Sequence, residues 1–121
     1  MKKIIFTGGS GKFGTVFKKL NLDKTNIYYP SSNTFDVTNF KKMEKYVKKI
    51  KPKLIIHSAA ISKPMEFHEK EIEKSISTNI IGTSNIVNLC SRYKIKLIYF
   101  STNYVYPSKN GIYKEHHPLL P

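Results

Sequence analysis

A run of glycines placed directly after the first apolar segment restricts this chain more than any other feature. Residues 3–7 have the character of a short strand, and Thr7-Gly8-Gly9-Ser10-Gly11-Lys12-Phe13-Gly14 follows at once. The next apolar residues, Phe13, Val16, Phe17 and Leu20, fall on one face at helical spacing. A strand that turns through glycines into an amphipathic helix is the opening of a dinucleotide-binding unit. Gly8 takes the tight turn, Gly11 lets backbone amides approach a pyrophosphate, and Gly14 lets the helix lie close to the sheet. The helix N-terminus then faces the anion, with Ser10, Lys12 and Phe13 in the same loop as further contacts. A nucleoside-triphosphate loop needs Ser or Thr after its lysine, and Lys12 is followed by Phe13.

The rest of the chain continues the alternation. Further strands are predicted at residues 26–29, 53–57 and 96–101. Phe40, Met43, Val47 and Ile50 form one helical face, with Thr38 or Asn39 as its cap. A longer helix is predicted over residues 71–93, with Ile72, Ile76, Ile80, Val87 and Cys90 among its apolar positions. Strands alternating with helices predict an α/β fold, a Rossmann-type doubly wound parallel sheet with helices on both faces. At 121 residues and 40% hydrophobic content the chain is long and apolar enough for one globular domain, residues 1–121, and no more. Residues 107–121, with three prolines, read as a long surface loop. A lone Cys90 forms no internal disulfide, and Ile4-Ile5-Phe6 is too short for a signal peptide or a membrane span. The expected location is cytoplasmic, with no membrane partner.

The formal net charge is +13, which would suit a polyanion. The kind of basic residue argues otherwise: twenty lysines are scattered along the chain beside a single arginine, Arg92. Readers of nucleic-acid sequence favour the arginine fork. The charge is therefore read as a solvated surface, and no nucleic-acid partner is expected.

An acid about twenty residues beyond the glycines holds the ribose hydroxyls of NAD in many such units. Asp36 has nearly that spacing but lies several residues past the second strand, whose end, Tyr29-Pro30-Ser31-Ser32, carries no carboxylate. Asp36 with Val37 is assigned instead to the adenine edge, and Ser31 or Ser32 to the ribose. Without an acid there, and with Lys12 nearby, the cofactor is NADP or NAD with NADP somewhat favoured.

On these residues the sequence resembles the extended short-chain dehydrogenase/reductase family, the NAD(P)-dependent epimerase/dehydratase group, and most of all its dTDP-4-dehydrorhamnose reductase-like branch. The segments that carry the resemblance are the glycine motif, Asp36-Val37-Thr38, Ser58-Ala59-Ala60, residues 79–85 beginning with Asn79, and Ser101-Thr102-Asn103-Tyr104-Val105-Tyr106. The resemblance implies that Ala59 and Ala60 leave room for the adenosine side of the cofactor and that Asn79 lies on the active-site side. It implies that Thr102, or less readily Ser101, hydrogen-bonds the reacting carbonyl of a nucleotide-sugar substrate. The implied reaction is reduction of a 4-keto nucleoside-diphosphate sugar, and a homodimer is compatible with the full-length protein. An epimerase or dehydratase of the same family, or a non-catalytic NADP-binding regulatory module, is the alternative.

One element of the family is missing. Its proton-transfer pair is Tyr-x-x-x-Lys, in which the lysine charge lowers the tyrosine pKa. The eight tyrosines here are followed four positions later by Ser32, Asn33, Ile50, Leu97, Asn103, Ser108, Asn110 and His117. The expectation is an amino-terminal, cofactor-binding part, truncated after about the fifth strand and inactive alone. His116 and His117 are adjacent in a loop without a third ligand, so no metal site is expected.

Overall fold

The computed structural model describes residues 1–107, 109 and 111–120; Ser108, Asn110 and Pro121, part of the loop read from the sequence, lie outside the described residues. Four strands form one parallel sheet in the order β2-β1-β3-β4, with β1 at Ile4–Thr7, β2 at Ile27–Tyr28, β3 at Leu54–His57 and β4 at Lys96–Tyr99. These are the four strands the sequence predicts, β2 trimmed at both ends and the others at one. The count of about five is not reached among the described residues.

Helices fill the crossovers: α1 at Lys12–Leu20, α2 at Phe40–Ile50, α3 at Met65–Lys70, α4 at Ile72–Ile76 and α5 at Gly82–Tyr93. Alternation along each strand divides the sheet into two faces. Ile5 and Ile55 point into the main core, packed with Met43, Val47 and Ile50 of α2 and with Ile86, Leu89 and Cys90 of α5. Phe6 points to the other face, where its ring stacks on Phe17 of α1 at 4.7 Å. Helices therefore cover both faces, as predicted. The cover on the α1 side is thinner, since Val16, Leu20 and Ile98 stay exposed.

α2 forms as its sequence dictates: Met43, Val47 and Ile50 are buried, and the Asn39 side chain accepts from the Lys42 amide at 3.0 Å. The segment 71–93 departs from expectation. It is not one α-helix but α4, a π-helical turn at Ser77–Ile81, and α5. Ile72, Ile76, Ile80 and Val87, predicted as its apolar face, are all exposed, and the buried positions are Gly82, Ile86, Leu89 and Cys90. The π-turn sets the phase of α5, because its extra residue rotates everything after it, so the buried run of α5 does not continue the spacing of Ile72 and Ile76, which precede the turn. Cys90, the one predicted position that is buried, has its thiol pushed up to about 11 by that burial. Beyond β4 the chain makes a short 3-10 turn at Asn103–Val105, and the Leu120 amide returns to the Val105 carbonyl at 3.1 Å. No helix among the described residues is long and apolar enough to cross a membrane.

Candidate functional site

The carboxyl ends of the parallel strands open into a cleft of about 970 Å³. Its floor is the loop between β1 and α1. Gly8 adopts φ +76, and a Cβ there would stand 2.8 Å from the backbone of Ser58 and Ala59. Gly14, buried in α1, would place a Cβ 2.3 Å from the Gly8 carbonyl oxygen and 2.6 Å from Gly9 Cα. Side chains are thus excluded by backbone on both sides, and the loop is drawn tight over the start of α1. Gly11 caps that helix without a side-chain bond, so the first-turn amides remain directed at the cleft. Ser10, Lys12 and Phe13 line the cleft beside them. Phe13 is braced edge-on by Phe100 at the end of β4, ring centroids 4.8 Å apart.

One side wall follows β2. Ser32 lines it, whereas Ser31 is turned to Thr34, the two hydroxyls 3.2 Å apart. Asp36 and Val37 line the same wall. Asp36 Oδ1 accepts from the Thr38 amide at 2.9 Å and from the Thr38 hydroxyl at 2.7 Å, which fixes the carboxylate and engages only one of its oxygens. Val37 is held from behind: the Asn85 side chain donates to its carbonyl at 2.9 Å, and Gly82 gives it room that a Cβ, at 2.7 Å from Val37 Cγ2, would take. Asn85 and Gly82 belong to the motif that begins at Asn79, and this wall is what they serve.

The opposite wall follows β3. Ala59 and Ala60 line it, with Ile61, Ser62 and Lys63 beyond. Asn79 does not line the cleft. From the π-turn its Oδ1 accepts the Ile61 amide at 2.8 Å and its Nδ2 donates to the Ile61 carbonyl at 3.1 Å. Both polar ends of Asn79 are spent on the loop that forms the wall. His68 adds a second tie, its Nε2 donating to the Lys63 carbonyl at 3.1 Å.

Behind the two loops lies a polar cluster that the sequence reading missed. Thr7 at the end of β1 and His57 at the end of β3 are both buried, with Thr7 Oγ1 and His57 Nδ1 2.8 Å apart. His57 Nε2 meets Thr83 Oγ1 of α5 at 3.2 Å. Burial pushes the His57 imidazole down from 6.5 to about 4. The only signal in the sequence was a histidine closing an otherwise apolar strand.

Thr102 and Ser101 follow β4 and lie outside the lining of the cleft. Thr102 is exposed and caps the 3-10 turn, its Oγ1 accepting from the Tyr104 amide at 3.2 Å. Among the described residues no group of His, Cys, Asp and Glu is arranged to hold a metal ion.

Comparison with known proteins gives this geometry a context. A family model described as RmlD substrate binding domain matches residues 1–121. A crystal structure of dTDP-4-dehydrorhamnose reductase from Bacillus anthracis, in complex with NADP, is 33% identical with TM-score 0.86, and the match covers 100% of this chain and 44% of that one. The dTDP-4-dehydrorhamnose reductase of Yersinia enterocolitica is 25% identical with TM-score 0.82, covering 100% of this chain and 42% of its own. A GDP-mannoheptose C4 reductase from Campylobacter jejuni with NADP bound shares the fold at 21% identity and TM-score 0.78, covering 93% and 37%. The chain therefore spans less than half the length of these solved proteins. No curated protein sequence matches it.

Proposed function

The chain belongs to the family described as RmlD substrate binding domain, and from that membership we propose that it is the NADP-binding part of an enzyme reducing a 4-keto sugar carried on a nucleoside diphosphate. The observation that carries the proposal is the glycine floor. Positions 8 and 14 have no room for a Cβ, and the backbone there leaves the first-turn amides of α1 open to the cleft. That is the donor set a diphosphate bridge requires. Lys12 adds a positive charge at the same place.

The remaining residues fit the same cofactor. Asp36 and Val37 present a carboxylate oxygen and backbone to an adenine edge, while Ser32 and the absence of an acid at the end of β2 suit a phosphorylated ribose. Ala59 and Ala60 keep the β3 wall shallow. When bound, the nicotinamide supplies hydride to the carbonyl carbon of the sugar. Thr102 holds the carbonyl oxygen through its hydroxyl proton, which is free to donate while Oγ1 accepts from the Tyr104 amide. A Tyr-x-x-x-Lys pair occurs nowhere in the 121 residues, so they bind cofactor without transferring the proton.

Calorimetric titration of the folded chain with NADPH and NADH tests the reading. Binding of both, tighter for NADPH, is the expected result, and no heat with either refutes it. Incubation with NADPH and a dTDP-4-keto sugar should give no reduced sugar; turnover would refute the assignment of proton transfer to residues outside this sequence.

A further inference from the structure

The proposed reading leaves unused the most deeply buried titratable group among the described residues, His57, which is 1% exposed. Its surroundings determine where its proton sits. Thr7 Oγ1 lies 3.2 Å from the amide of Ser58 and 3.2 Å from the amide of Ala59, and both donate to it. A hydroxyl oxygen has two lone pairs, and these two amides occupy them. The hydroxyl proton of Thr7 therefore goes to the group 2.8 Å away, His57 Nδ1, which must accept. The ring proton is left on Nε2, where it donates to Thr83 Oγ1 on α5. Every bond in this chain has one direction only, and each fixes the next.

The end of the chain is the cleft. The amides of Ser58 and Ala59 open the β3 wall, and the same two residues press on Gly8 so closely that a Cβ would overlap them. One hydroxyl thus sets the spacing between the glycine floor and the β3 wall, and one imidazole sets the hydroxyl. We propose that His57 is a positioning residue: held by Thr83 as the neutral Nε2–H tautomer, it orients Thr7 so that the two loops bounding the cofactor cleft stay in register. Its effect on cofactor affinity rests on the NADP reading above; its effect on the loops does not.

The test combines a spectroscopic signature with rescue. Long-range proton–nitrogen spectra of the chain should show His57 with Nδ1 bare and Nε2 protonated. In His57→Leu, similar in bulk without an acceptor, the Ser58 and Ala59 amides should lose hydrogen-exchange protection and the NADPH dissociation constant should rise about tenfold. His57→Asn places an acceptor near the Nδ1 position and should keep both within about twofold of the parent. Thr83→Val removes only the acceptor of the ring proton and should shift both readouts in the same direction by less. That variant keeps the test open should His57→Leu not fold. An Nδ1–H tautomer overturns the proposal, as do unchanged amide protection in His57→Leu and unchanged protection in Thr83→Val. A parent chain that binds no NADPH would refute the cofactor reading alone, because tautomer and amide protection are read without cofactor.

Discussion

Acidification should unfold this protein through His57 before its carboxylates contribute. The imidazole is packed against Thr7 from β1, Thr83 from α5 and the ring of Tyr99 from β4, its centroid 5.8 Å away. Tyr99 is the one titratable group among them, and among the described residues no acid is paired with the ring to stabilise a cation. Burial holds the folded-state pKa at about 4 against 6.5 when exposed. Between those values the unfolded chain binds a proton that the folded chain refuses, so stability falls as pH falls. The contribution is fully present above 6.5 and is lost progressively toward about 4. At about 1.36 kcal/mol per unit, the whole interval amounts to about 3 kcal/mol, a large part of the stability of a small domain. Urea unfolding followed by far-ultraviolet circular dichroism, at about pH 7.5 and about pH 4.5, measures it. The parent should lose about 2 to 3 kcal/mol more than His57→Asn over that range. Glu44 does not confuse the comparison. Hydrogen bonds from Tyr93 and Arg92 lower its pKa below 4.5, so its own acid loss starts only near the lower edge of this window and is shared by parent and variant. Equal pH dependence in parent and variant would refute the reasoning.

Further outcomes are expected from other residues. Gly14→Ala places a methyl 2.3 Å from the Gly8 carbonyl oxygen, against backbone that can move only by opening the loop. It should cost about 1 to 3 kcal/mol in urea unfolding and abolish the calorimetric signal with NADPH. Asn39→Ala removes the side-chain cap of α2 and should lower stability by about 1 kcal/mol without altering cofactor binding. Met43 is fully buried between the sheet and α5, and Met43→Ala should cost about 2 to 5 kcal/mol in the same assay. Asn79→Leu removes both bonds to Ile61, so hydrogen exchange at the Ile61 amide should accelerate while the helical dichroism is kept.

The architecture was legible wherever a local rule was sufficient. The strand, glycine turn and helix at the start each follow from a few neighbouring residues, and the cap of α2 could be narrowed to Thr38 or Asn39, of which Asn39 forms it, because capping is a three-residue event. The face of α2 was readable because an uninterrupted helix keeps its period. Residues 71–93 were not, since one inserted residue at Ser77–Ile81 changes which side chains face the sheet and leaves no compositional trace. Four exposed isoleucines and valines then gave the stronger periodic signal. The site shows the same division. The glycines and the Asp36 and Ala59 walls were recognised from their place in the chain. Asn79 was expected on the active-site side, and its partner there is the backbone of Ile61, eighteen residues earlier. Thr7, His57 and Thr83 are far apart in sequence, and only the register of β1 with β3 brings the first two together.

The π-turn also restricts how this segment can change length. Asn79 within it grips Ile61, and Gly82 directly after it seats against Val37, so the two side walls hang from a single bend. Deleting one residue there would restore a regular helix but swing the two anchors apart by about 100°. Either Asn79 would release its loop or the next turn would drive a side chain into Val37. Point substitutions on the exposed isoleucines should be tolerated freely, while any shortening by one should fail.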